Sequence, residues 1–98
     1  MNVVALRTLR TFWEKHPDAR TPLRDWYVIV SHSEWSRPSD VKAAFGTSVD
    51  FVADSRVIFD IGRNKYRLVV RVSYRFKQVL IKFVGTHREY DRIDPEIV

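Results

Sequence analysis

The segment Val84 to Asp94, VGTHREYDRID, gathers a histidine, a tyrosine, two arginines and three carboxylates directly behind the strand-like run QVLIKFVG. Histidine exchanges protons near neutral pH. Thr86 and Glu89 have the spacing of a capping box, in which each side chain satisfies a backbone N–H of the other. A helical turn is therefore expected to begin at His87. The free N–H groups at such a start attract anions, phosphate included, and the same dipole disfavours a charged imidazole. Tyr90, three residues on, shares the helical face of His87. The spacing suits proton transfer beside a bound phosphate. It equally suits a polar loop residue behind a common capping pattern.

A second signal lies just upstream. Arg63, Lys65, Arg67, Arg71, Arg75, Lys77, Lys82 and Arg88 follow one another between Ile61 and Arg88 with no acidic residue among them. The whole chain carries a formal net charge of +5. A field of one sign on one segment points to a polyanionic partner such as nucleic acid, or to a solvated strand face.

Other chemistries lack their residues. There is no cysteine, so neither a disulfide framework nor a thiolate metal site exists. The three histidines have no zinc-ligand spacing; His16 and His32 fall near expected helix ends and read as structural. No glycine-rich phosphate loop is present, and no segment reaches the roughly 18 apolar residues of a membrane span. Neither a metal nor a cofactor is expected. Trp13, Trp26 and Trp35 read as helix packing.

The positioning elements follow from periodicity. The 98 residues make one domain with a thin core. A short strand is expected at Asn2 to Val4. Leu6, Leu9, Phe12 and Trp13 form one stripe of a helix over residues 6–15. Ala19, Leu23, Trp26, Tyr27 and Val30 form the stripe of a second helix, with Pro22 tolerated in its first turn. SRPSDVKAAFG reads as a third, with Ser36 as cap, Pro38 in the first turn and Gly46 as the stop. After Gly46 the period changes to two. VDFVAD, RVIFDI, KYRLVVRVSYRF and KQVLIKFVG read as strands, joined through the turns DIGRNK and SYRFKQ. The reading is an α+β domain: a small antiparallel sheet with helices on one face. Tyr66, Leu68, Val70 and Val72 are assigned to the core with Val79, Ile81 and Phe83. Lys65, Arg67, Arg71 and Arg75 are assigned to an open basic face with Gln78 and Lys82.

FWEKHPDA, PLRDWY, DVKAAF, NKYRLVVRVSY and FVGTHREYDRID together resemble the HigB family of toxins, within the RelE-like superfamily of type II toxin–antitoxin systems. The resemblance spans nearly the whole chain. It implies a ribosome-dependent mRNA endonuclease of the bacterial cytoplasm, held inactive by a helix-turn-helix antitoxin of the HigA type in a toxin–antitoxin heterotetramer. Such enzymes attack the scissile phosphate with the adjacent ribose 2′-OH. The resemblance places Arg67 on that phosphate, His87 in proton transfer and Tyr90 as a third member. Lys65, Arg71, Lys82, Arg88, Arg63 and Arg75 are the further RNA-binding candidates. Where RelE carries lysines, this sequence has RVIFDI with Ile58 and Asp60, so a lysine-based proton transfer is not implied. A non-catalytic nucleic-acid-binding module using the basic face is the alternative. A protein-interaction domain is a third.

Overall fold

The computed structural model describes all residues from Met1 to Val98. Strand β1 (Asn2–Val4) leads into helix α1 (Leu6–Lys15). A 3₁₀ turn (Pro17–Ala19) precedes α2 (Arg20–Ser31), and α3 (Pro38–Phe45) follows. Strands β2 (Val49–Val52), β3 (Arg56–Ile61), β4 (Tyr66–Ser73) and β5 (Gln78–Thr86) complete the sheet, and α4 (His87–Tyr90) is a single helical turn behind it.

The helix punctuation has visible causes. Gly46 ends α3 at φ 61°, a region that side chains disfavour. At the start of α3, Arg37 and not Ser36 occupies the cap position, in an extended conformation. Pro38 is the first helical residue, and a residue before proline is pushed out of the helical region. Ser36 instead donates its backbone N–H to Asp40 Oδ2 at 2.8 Å.

Strand order is β1-β5-β4-β3-β2. The four later strands pair antiparallel through short turns, as expected. The sheet is mixed, however, because β1 pairs parallel to β5. Three helices separate β1 from the meander, which is ample chain for a parallel return. The helices cover one face. Leu9, Leu23, Trp26 and Val30 are buried against Val57, Phe59, Leu68 and Val70.

The other face differs from the sequence expectation in two respects. First, the β4–β5 register slips between Val69 and Val70, where Val69 pairs with Phe83 and Val70 with Ile81. Lys82 is left unpaired in a β-bulge. One extra residue inverts every side chain beyond it, so Phe83 lies opposite Val69 on the open face and Val84 takes the core position opposite Leu68. Second, the face is neither bare nor uniformly basic. Ile58 and Val69, which point to it, are 5% and 0% exposed. Arg56 is buried beside them, donating to Asp54 at 3.0 Å and to the Val98 carbonyl at 2.9 Å. That bond draws the end of the chain onto this side of the sheet, where Ile93, Pro95 and Val98 are half-buried. Acids remote in sequence meet the arginines here: Asp54 accepts from Arg71 and Asp60 from Arg67.

Gly85 is where this face is tightest. A Cβ there would stand 2.6 Å from Phe83 Cζ and 3.1 Å from both Glu89 Cβ and its Oε1. Gly85→Ala is expected to destabilise the fold by about 1–3 kcal/mol through overpacking. Urea denaturation should show a lower midpoint with an unchanged slope.

Candidate active site

The β3–β4 turn builds the site. Ile61 pairs with Tyr66 and Asp60 with Arg67, leaving Gly62 to Lys65 as the turn. Gly62, Arg63 and Asn64 all have left-handed backbone, at φ 62°, 57° and 71°. Glycine adopts this region freely and asparagine tolerates it better than most residues. On the other side Arg67 lies opposite Gly85, and Tyr66 opposite Thr86. The first residue after β5 therefore arrives beside the turn. That residue is His87.

Asn64 joins the two candidate side chains. Its Oδ1 accepts from Arg67 Nη1 at 2.6 Å, and its backbone carbonyl accepts from His87 Nε2. Oδ1 also lies 3.2 Å from His87 Nε2. A carbonyl oxygen only accepts, so Nε2 carries a proton. In the neutral ring Nδ1 is then the nitrogen with a free lone pair. Arg67 also pairs through Nη1 with Asp60 Oδ1, the two side chains being 19% and 27% exposed. The Nε and Nη2 edge of the guanidinium makes no hydrogen bond within the chain. That edge is the fork that grips a phosphate with two parallel bonds.

Tyr90 closes the constellation. Its ring lies 5.6 Å from the Arg67 guanidinium carbon and 6.5 Å from the Phe83 ring. Burial pushes the Tyr90 phenol above its ordinary value; Arg67 opposes this, and Asp50 and Asp91 reinforce it. The phenol therefore keeps its proton and is available as a hydrogen-bond donor. The capping box is complete: Thr86 Oγ1 accepts from Glu89 N–H at 3.2 Å, and Glu89 Oε1 accepts from Thr86 N–H at 2.8 Å. That second bond holds the Glu89 carboxyl below its ordinary value.

Arg67, His87 and Tyr90 thus come together. Arg63 flanks them on the turn and Arg88 on α4, both exposed. Lys65 does not join them. It pairs with Asp18, which also accepts from the Tyr66 hydroxyl, beside the 3₁₀ turn on the helical side. Asp18 holds the Lys65 ammonium above its ordinary value. Arg71 lies further along β4, donating to Asp54 at 3.2 Å. Lys82 is exposed in the bulge, and Arg75 is exposed on the β4–β5 turn. His16 stacks on Phe12 at 4.5 Å, and His32 Nδ1 lies 2.8 Å from the Val28 carbonyl at the end of α2. No three His, Asp or Glu side chains gather to hold a metal ion, and no helix is long and apolar enough to cross a membrane.

Sequence reasoning missed Asn64 and Asp60 as site residues. Asn64 was legible only as a turn former. Asp60 could have been found by counting outward from the turn, because the register that pairs Ile61 with Tyr66 pairs Asp60 with Arg67.

A family model described as HigB_toxin, RelE-like toxic component of a toxin-antitoxin system, matches residues 19–93. The protein named mRNA interferase toxin HigB from Escherichia coli strain K12 is 28% identical over 92 residues, covering 93% of this chain and 88% of that protein. The mRNA interferase HigB of Escherichia coli O6:H1 is 21% identical over 94 residues, covering 95% and 91%.

The cap generates a pH prediction. Glu89 has a depressed folded-state value, so its contribution is present above the ordinary carboxylate range and is lost as pH falls through the folded value. Thr86→Ala is expected to cost about 1 kcal/mol at neutral pH. Glu89→Gln should remove part of the acid sensitivity. Thermal melts of wild type and both variants from neutral to acidic pH check this.

Proposed function

The chain belongs to the HigB toxin family, and on that footing we propose that it is an endoribonuclease that cleaves mRNA. The observation that carries the reading is the Asn64 bridge, which sets an imidazole with a free Nδ1 beside an arginine with a free fork. Support for the substrate comes from relatives named mRNA interferases.

In the proposed reaction the Nε and Nη2 edge of Arg67 holds the scissile phosphate. His87 Nδ1 accepts the proton of the adjacent ribose 2′-OH. The O2′ atom attacks phosphorus, the P–O5′ bond breaks, and a 2′,3′-cyclic phosphate and a 5′-hydroxyl result. Charge grows on the phosphate oxygens as the pentavalent state forms, which is where a preorganised cation helps most. Tyr90, whose phenol is protonated beforehand, gives its proton to the leaving O5′ as the P–O5′ bond breaks, and the proton taken up by His87 later restores the phenol. Asp60 and Asn64 keep Arg67 from swinging away. We place the reaction on ribosome-bound message in the bacterial cytoplasm. The neutralising partner is a helix-turn-helix antitoxin of the HigA type, assembled with the toxin as a heterotetramer.

The reading as a non-catalytic binding module draws on the exposed cations Arg63, Arg75, Lys82 and Arg88, which bind phosphate without proton transfer. The two readings diverge at His87. In single-turnover cleavage of ribosome-bound message, His87→Ala is expected to lose about 100- to 10,000-fold in rate with binding nearly unchanged. Arg67→Ala should lose more turnover than affinity. Expression of the wild type alone should arrest bacterial growth, and co-expression of the antitoxin should restore it. Cleavage by His87→Ala within about threefold of wild type would remove histidine from the chemistry, being far short of the loss of a general base.

A further inference from the structure

The β4–β5 turn stands at the far end of the same sheet face. Arg71 follows Arg67 by four residues along β4, about 13 Å at the rise of a strand. There a groove of about 450 Å³ opens, lined by Arg71, Ser73, Arg75, Phe76, Gln78 and Leu80 among others; Asp54, beside it, accepts from Arg71 at 3.2 Å. Phe76 is 68% exposed. The Arg75 guanidinium carbon lies 5.3 Å from the centre of its ring.

The turn fixes the backbone that carries this ring. Phe76 donates its backbone N–H to Ser73 Oγ at 3.3 Å. Lys77, the next residue, donates from Nζ to the Trp35 carbonyl at 2.8 Å and to Ser36 Oγ at 3.1 Å. Lys77 is therefore tied to the helical side of the molecule, and the aromatic ring beside it is presented to solvent from a turn braced at both ends. An exposed aromatic face on a fixed backbone, a guanidinium against it and a second arginine in the groove wall suit a planar base followed by a phosphate. The Gln78 amide adds a donor and an acceptor for a base edge. An acidic peptide would use the arginines and leave the ring without a task.

We propose that this groove is a nucleotide subsite for single-stranded RNA, in which Phe76 stacks one base, Arg75 holds the neighbouring phosphate and Arg71 joins it by exchanging Asp54 for a phosphate oxygen. It deepens the RNA-cleaving reading and rests on it. The subsite anchors the message at a fixed distance along β4 from the phosphate gripped by Arg67.

The test is anisotropy of a labelled single-stranded RNA oligonucleotide long enough to reach from Arg67 to Phe76. The full chain carries His87→Ala so that the RNA stays intact. A single abasic ribose is moved through every position of the oligonucleotide. Phe76→Leu is expected to weaken binding about 5- to 100-fold, the loss of one stacked base, and Phe76→Trp to preserve it. One abasic position should weaken binding as much, and combining it with Phe76→Leu should add no further loss. Affinity unchanged in Phe76→Leu, or no abasic position coupled to Phe76, overturns the subsite. Should Phe76→Leu fail to melt like its parent, Arg75→Gln carries the same scan. Cleavage of ribosome-bound message by the wild type is followed in parallel. Cleavage without any dependence on Phe76 removes the subsite and leaves the enzyme. Stacking at Phe76 without cleavage removes the enzyme and leaves an RNA-binding groove.

Discussion

Arg67 is held at one nitrogen and free along one edge, and the site is organised around that fact. Asp60 and Asn64 both engage Nη1. The pair with Asp60 is partly buried, so removing the acid would leave a cation with little water to compensate it. Because the hold is confined to Nη1, the rest of the guanidinium stays available for a ligand. The same asparagine turns its backbone carbonyl to His87. One turn thereby fixes the position of a charge and the protonation pattern of a ring.

The hold on Arg67 depends on the sheet register, and the register on two local devices. The left-handed run from Gly62 to Asn64 closes the β3–β4 hairpin so that Asp60 and Arg67 are partners. The bulge in β5 then turns Phe83 onto the open face, where its ring occupies the space left by the missing side chain of Gly85 and lies near Tyr90. Without the bulge, Phe83 would return to the core and the Tyr90 side of the site would lose its apolar wall. The capping box completes the arrangement by starting α4 at His87.

Much of this was legible in the chain. The first helix coincided with its amphipathic stripe, because Leu6, Leu9, Phe12 and Trp13 leave one way to pack. The capping box was readable from Thr86 and Glu89 alone. Arg67, His87 and Tyr90 were singled out because motif resemblance and spacing agreed, and the fold brings the three close together. The bulge was not readable: VLIKFV alternates well enough to hide a slip of one residue. Nor could charge order along the chain reveal that Asp54 and Asp60 neutralise part of the basic face, since strand pairing creates those contacts. Lys65 was misplaced for a related reason. It stands in the turn, outside the alternation of β4, and Asp18 claims it from the helical side.

In the proposed reaction this site activates a ribose hydroxyl against its own phosphate. A message with a single 2′-deoxynucleotide at the scissile position tests it most directly, in single-turnover cleavage on the ribosome with an all-ribose message alongside. Cleavage at that position is expected to fall to the level of the His87→Ala protein, while the all-ribose message yields a 2′,3′-cyclic phosphate end. Cleavage of the deoxy-substituted message at the same rate as the all-ribose one would contradict the claim, because the attacking oxygen would then not be O2′.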